Sequence, residues 1–142
     1  MQRRVFLLTL LSAPALAQVR PLPEAPDAAP RDDSRFSAAL LEGMAQGEAL
    51  ARERLSRFPR LRALHRQVPR PGWNAVEAYY LRVLLAEWRW RDAGITQPAG
   101  RAPHLPPQGW TDGQHVVALV GAHPTRQENG LLPFTLLTTL PG

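Results

Sequence analysis

Apolar residues recur along the chain at intervals that predict helices. From Arg35 to Phe58 the positions Phe36, Leu40, Met44, Leu55 and Phe58 fall at helical spacing, and Asp32, Asp33 and Ser34 just before them offer capping oxygens and negative charge. Ala39, Gly43, Gly47 and Ala51 recur every fourth residue within that stretch, a stripe that lets another helix backbone approach closely. Each Gly costs about 1 kcal/mol against Ala, so the helix needs that packing. Pro59 breaks the pattern. Leu61, Leu64 and Val68 then predict a short second helix over Arg60 to Val68, ended by Pro69-Arg70-Pro71-Gly72. Asn74 with Glu77 forms a capping-box-like start to a third helix, Ala75 to Asp92. It carries Val76, Tyr79, Tyr80, Val83, Leu84, Leu85, Trp88 and Trp90 around most of its circumference, which marks it as the central buried element, with Gly94 as its C-cap.

The pattern changes after Gly94. Residues 95–113 hold four Pro and three Gly and predict a loop. His115 to His123 is rich in β-branched residues, Asn129-Gly130 closes a turn, and Leu131 to Leu140 is apolar with Thr. A hairpin fits this turn chemistry, while a helix stays open because Pro133 is tolerated in a first helical turn. The expected fold is mainly α: a small bundle of three to four helices with a Pro-rich loop and a C-terminal segment that is either hairpin or helix.

The amino terminus is of another kind. Arg3 and Arg4, the apolar run Val5 to Leu11 and the triplet Ala15-Leu16-Ala17 read as a cleavable signal peptide over residues 1–17. Arg3-Arg4-Val5-Phe6-Leu7 resembles the twin-arginine export consensus, and an ordinary secretory signal is an equal alternative. Residues 18–33, with Pro21, Pro23, Pro26 and Pro30, are expected as a disordered or extended leader, and residues 34–142 as one small domain. The apolar run falls short of the ~20 residues that span a bilayer, so no transmembrane anchor is expected. The expected location is periplasmic or secreted.

Composition narrows the chemistry. The 142 residues include no Cys, which excludes disulfides, thiolate metal sites and Cys nucleophiles. All 17 basic residues are Arg, and the formal charge of +5 falls to +3 once Arg3 and Arg4 are removed. Arg52, Arg54, Arg57, Arg60, Arg62, Arg66 and Arg70 form the densest basic stretch, opposed only by Glu53. Guanidinium groups suit phosphate and carboxylate, so these seven are candidate contacts for anionic envelope components such as lipopolysaccharide phosphates, anionic lipid or an acidic polymer. The alternative is a solvated helix face. No nucleic-acid motif is present, and nucleic acid is not an expected partner.

Catalytic chemistry finds little support. Ser34, Ser37 and Ser56 lie in no nucleophile elbow, and Glu77 and Glu87 sit ten residues apart, better suited to capping and to pairing with Arg91. His115, His123 and Glu128 are the candidate metal ligands, with His65, His104 and Asp112 as further donors. Their spacing lacks any His-x-His or Glu-x-x-His pair, so neither a metal nor another cofactor is expected. His123 to Pro133 is similar to the last helix of hemerythrin-like domains, with Gln127 where the carboxylate would stand. Trp73, Trp88, Trp90 and Trp110, with Tyr79 and Tyr80, serve either as core or as a stacking surface for glycan, Trp90 being the one expected to be most exposed.

The stretch Met44 to Leu64 (MAQGEALARERLSRFPRLRAL), following Asp33 and Phe36 and a Pro/Ala leader, resembles the opening helices of a family of exported bacterial proteins of unknown function, labelled as outer-membrane proteins and grouped with ferritin-like helix bundles. The resemblance implies an exported helical bundle and no established activity. The expected function is that of a non-catalytic binding or structural component of the cell envelope, with a metal-binding helical-bundle protein or enzyme as the alternative. No feature of the sequence sets an oligomeric state.

Overall fold

Leu64 and Val68, four residues apart, share a face in a helix of period 3.6 and equally in a strand of period 2. The strand is what forms. The computed structural model describes residues 20–95 and 104–141, and in it Arg62–Pro69 is strand β2 of a six-stranded sheet. The other strands are β1 (Ala29–Pro30), β3 (Arg91–Asp92), β4 (Gln108–Thr111), β5 (Val116–Gly121) and β6 (Leu131–Thr138), in the order β1-β2-β6-β5-β4-β3, with every neighbouring pair antiparallel. Helix α1 (Ala38–Arg54) and helix α2 (Trp73–Tyr80) complete the fold, α2 running on into a π-helical segment, Leu81–Glu87.

The mainly α bundle of three to four helices is therefore corrected to an α/β fold, and the likeness to ferritin-like bundles falls with it. The cause is tertiary pairing. β6 is buried from Leu132 to Thr138, and its in-register partners run the full length of β2, from Arg62 opposite Thr138 to Pro69 opposite Leu131. That ladder overrides the modest helical preference of the Arg- and Leu-containing segment. The C-terminal segment takes the hairpin form: Asn129 and Gly130, at φ of 54° and 71°, make the tight turn at the start of β6, and Glu128 and Leu131 exchange backbone hydrogen bonds across it.

Register divides the side chains of the sheet between two faces. Val68, Leu64, Leu132, Phe134, Leu136, Leu119 and Gly121 share one face, where Trp73 of α2 packs against Phe134 and Gly121. His65, Thr135 and Val120 share the other, under α1. The small-residue stripe serves this contact. A Cβ on Gly47 would lie 3.0 Å from Val120 and 2.8 Å from His104, so the glycine lets α1 settle on the sheet rather than on another helix. Ser37 caps α1 through its hydroxyl, which accepts from the Leu40 N–H.

The third expected helix begins at Trp73 without the Asn74 cap and does not stay α-helical. From Leu81 it widens, and the Trp88 N–H bonds the Val83 carbonyl five residues back. The widening buries Val83 and Leu84 and leaves Leu81 and Leu85 exposed. Glu87 pairs with Arg82 at 3.4 Å rather than with Arg91.

The first part of the leader lies against α2, and after a turn at Pro26-Asp27, with Asp27 at a φ of 61°, the chain joins the sheet as β1. Leu22 and Ala25 are buried, the Leu22 N–H bonds the Pro141 carbonyl at 2.8 Å, and the Tyr80 hydroxyl donates to the Pro23 carbonyl at 3.0 Å. Burial, helped by the nearby Glu24 carboxylate, pushes the Tyr80 phenol well above its ordinary value of 10.0. An unfolded Tyr80 ionises at that ordinary value and a folded one does not, so its contribution to stability is complete below about pH 10 and falls as pH rises beyond it. Tyr80→Phe is expected to cost about 1 kcal/mol at neutral pH, for the lost hydrogen bond, and to make the alkaline loss shallower. Urea denaturation of both proteins at neutral and at strongly alkaline pH measures this.

The expected signal peptide, residues 1–17, lies outside the described residues. Among the described residues no helix is long and apolar enough to cross a membrane.

Candidate functional site

Three local features meet at the exit of the π-helical segment. The segment itself is a rare geometry that concentrates at functional positions. Arg89 follows it at a φ of 59°, an uncommon conformation for a residue with a side chain. Trp88 and Trp90 flank that kink, half-buried, with ring centroids 5.3 Å apart and planes tilted by 59°. The Trp90 N–H is held by the Leu84 carbonyl at 2.8 Å, and Arg91 enters β3 opposite Thr111.

That pairing brings the β4–β5 turn alongside. In this turn Asp112 Oδ1 accepts from the backbone N–H groups of Gln114 and His115 at 2.8 and 2.7 Å. Gly113, at a φ of 101°, turns the chain, and His115 Nδ1 lies 3.3 Å from Thr139 Oγ1. The bond from Leu22 to Pro141 brings the leader to the same place and sets Arg20 beside Leu140. The Arg20 guanidinium carbon sits 4.8 Å from the Trp88 ring centroid, within cation–π range. Arg20, Trp88, Arg89, Trp90, Asp112, His115 and Leu140 together line a cleft of about 270 Å³. Its lining residues carry two guanidinium groups, one carboxylate, an imidazole and two indole rings, drawn from three separate stretches of chain, with Leu140 from a fourth.

The seven arginines singled out in the sequence do not meet in one place. Arg52 bonds Glu48 at 3.1 Å and the Leu61 carbonyl at 3.2 Å, and Arg57 bonds the Ala93 carbonyl at 2.8 Å. Arg62 holds the Leu140 carbonyl, and Arg66 pairs with Glu24 at 2.7 Å. These four guanidinium groups are engaged by oxygens of the chain itself, and Arg62 and Arg66 lie on the α2 face of the sheet while Arg52 belongs to the helix on the other. Arg54, Arg60 and Arg70 are exposed.

The metal candidates are likewise dispersed in role. His115 belongs to the cleft. His123 caps the short turn Pro124–Arg126, its Nδ1 2.8 Å from Thr125 Oγ1. Glu128 anchors the start of α1, its carboxylate accepting from the Ser37 N–H and hydroxyl. Among the described residues no three His, Asp or Glu side chains come together as a metal site.

One further charged cluster lies on the α1 side. Glu48 accepts from Arg52 and lies 2.8 Å from His65 Nε2. Burial works to raise its carboxyl, but the contacts with His65 and Arg52 outweigh that and hold it below its ordinary value of 4.5. Glu48 thus remains an anion tying α1 to β2, a structural use of the His65 imidazole.

Sequence reasoning named Trp88 and Trp90 as one of two things, core or stacking surface. The structure separates the four indoles: Trp73 and Trp110 are buried at 3% exposure each, and Trp88 and Trp90 line the cleft. Arg20, Arg89 and Asp112 as a set were not legible, because nothing local in the sequence joins positions so far apart. No family model, no curated protein and no solved structure matches this chain.

Proposed function

We propose that the protein is a non-catalytic binding component of the cell envelope and that it holds an anionic group in the cleft at the end of the π-helical segment. The observation that carries this reading is the placement of Arg20 and Arg89 in one cleft with the tilted pair Trp88 and Trp90. The two guanidinium groups outnumber the single carboxylate of Asp112, so the lining favours negative charge. Export of the mature chain, expected from residues 1–17, gives the compartment in this reading. The exposed arginines Arg54, Arg60 and Arg70 add a diffuse positive surface that steers an acidic polymer without fixing it.

Retention of the protein on isolated envelopes across a salt series tests the reading. Binding is expected to weaken steadily as salt rises, and Arg20→Gln with Arg89→Asn is expected to remove most of it. Replacing Arg54, Arg60 and Arg70 by Gln is expected to lower it only a few-fold. Retention indifferent to salt, or unchanged by the Arg20 and Arg89 replacements, would overturn the proposal.

A further inference from the structure

The chemistry of the cleft goes beyond affinity for negative charge. A bare inorganic anion uses only Arg20 and Arg89, and it meets repulsion from Asp112, which lines the same cleft of about 270 Å³. Among the described residues both donors to Asp112 approach Oδ1, from the backbone of Gln114 and His115, and none reaches Oδ2. A carboxylate oxygen so placed accepts hydrogen bonds from hydroxyl groups. Trp88 and Trp90 offer tilted ring surfaces whose negative faces attract the positively polarised C–H groups of a saturated ring. Arg20 lies over the Trp88 ring, 4.8 Å from its centroid, so its guanidinium group sits against one face of that indole, beside the surface left by Trp88 and Trp90.

Resting on the binding role proposed above, we infer that the ligand is an acidic sugar, a hydroxylated pyranose ring bearing a carboxylate or phosphate. Each part of the ligand has its counterpart in the lining. Arg20 and Arg89 take the anionic group, Asp112 Oδ2 accepts from ring hydroxyls, and Trp88 and Trp90 cover an apolar ring face. His115, tethered near Thr139, adds a second polar contact at the same wall. A neutral sugar leaves the guanidinium groups without a countercharge, and an anion without a ring leaves the indoles and Asp112 without a partner. The combination discriminates where either half alone does not.

Calorimetric titration of the full protein with three probes tests the inference: trigalacturonate, maltotriose as a neutral sugar of similar length, and tripolyphosphate as an anion without a ring. Trigalacturonate is expected to bind on the order of tenfold more tightly than either of the others, a difference of about 1.4 kcal/mol. Arg89→Asn, which suits the positive φ at that position, is expected to lower trigalacturonate affinity about tenfold, since it removes a charged contact, and to leave the melting temperature unchanged. Trp90→Leu is expected to weaken trigalacturonate more than tripolyphosphate. If Trp90→Leu does not fold, Arg89→Asn and the probe comparison still decide. Equal binding of tripolyphosphate would overturn the acidic-sugar inference and leave the anion-binding role standing. Equal binding of maltotriose, or binding of none of the three, would overturn both. Affinity untouched by Arg89→Asn would move the ligand out of this cleft and overturn the inference.

Discussion

Gly121→Ala is expected to destabilise the protein by about 1–3 kcal/mol, the usual range for overpacking a filled core. A Cβ at this position would lie 2.2 Å from Trp73 Cη2 and 2.3 Å from Cζ2, well inside contact distance. Neither partner can retreat cheaply. Gly121 is paired with Phe134 in the β5–β6 ladder, and Trp73 opens α2 with its ring 5.8 Å from the Phe134 centroid. Trp73→Phe removes the atoms that collide, so Gly121→Ala is expected to cost less in that background than alone. A double-mutant cycle by urea denaturation measures the coupling, and additivity within about 0.5 kcal/mol would mean that the two positions do not touch.

Leu136→Ala is expected to have the larger effect, about 2–5 kcal/mol. Leu136 is fully buried in β6, between Leu64 of β2 and Leu119 of β5, on the face that α2 covers. Neighbours on both sides are held by ladder hydrogen bonds and cannot close around the cavity, which places the loss toward the upper part of that range. Leu85→Ala, at 40% exposure on the π-helical segment, is the matched control, expected to cost less than about 1 kcal/mol. Equal losses from the two substitutions, measured by the same denaturation, would contradict a fold centred on β6.

The features legible in the sequence were those specified locally. The apolar spacing of α1 and the Asn129-Gly130 turn each state their geometry within a few residues, and the structure shows both. β2 was illegible because Leu64 and Val68 satisfy helix and strand periods alike, and the deciding partner lies in β6, close to seventy residues away. The π geometry of the third helix was not legible either. Its apolar circumference read as deep burial on all sides, whereas widening from Leu81 leaves Leu81 and Leu85 at the surface and carries Trp88 and Trp90 to the rim of the cleft. Charge density along the chain did not show how the arginines are distributed in the fold. Seven arginines close in sequence pass from helix through turn to strand and a final 3-10 turn, and four of them bond oxygens of the fold itself. Arg20 and Arg89, far apart in the sequence, are brought together by the tether from Leu22 to Pro141 and by the pairing of β3 with β4.

The indole N–H resonances offer the most direct test of the cleft as the ligand site, because the protein has four tryptophans in two distinct environments. In nitrogen–proton correlation spectra recorded during titration with trigalacturonate, and assigned by single Trp→Phe replacements, the Trp88 and Trp90 signals are expected to move while those of Trp73 and Trp110 stay in place. Movement confined to Trp73 or Trp110, or four unmoved signals at saturating trigalacturonate, would contradict it.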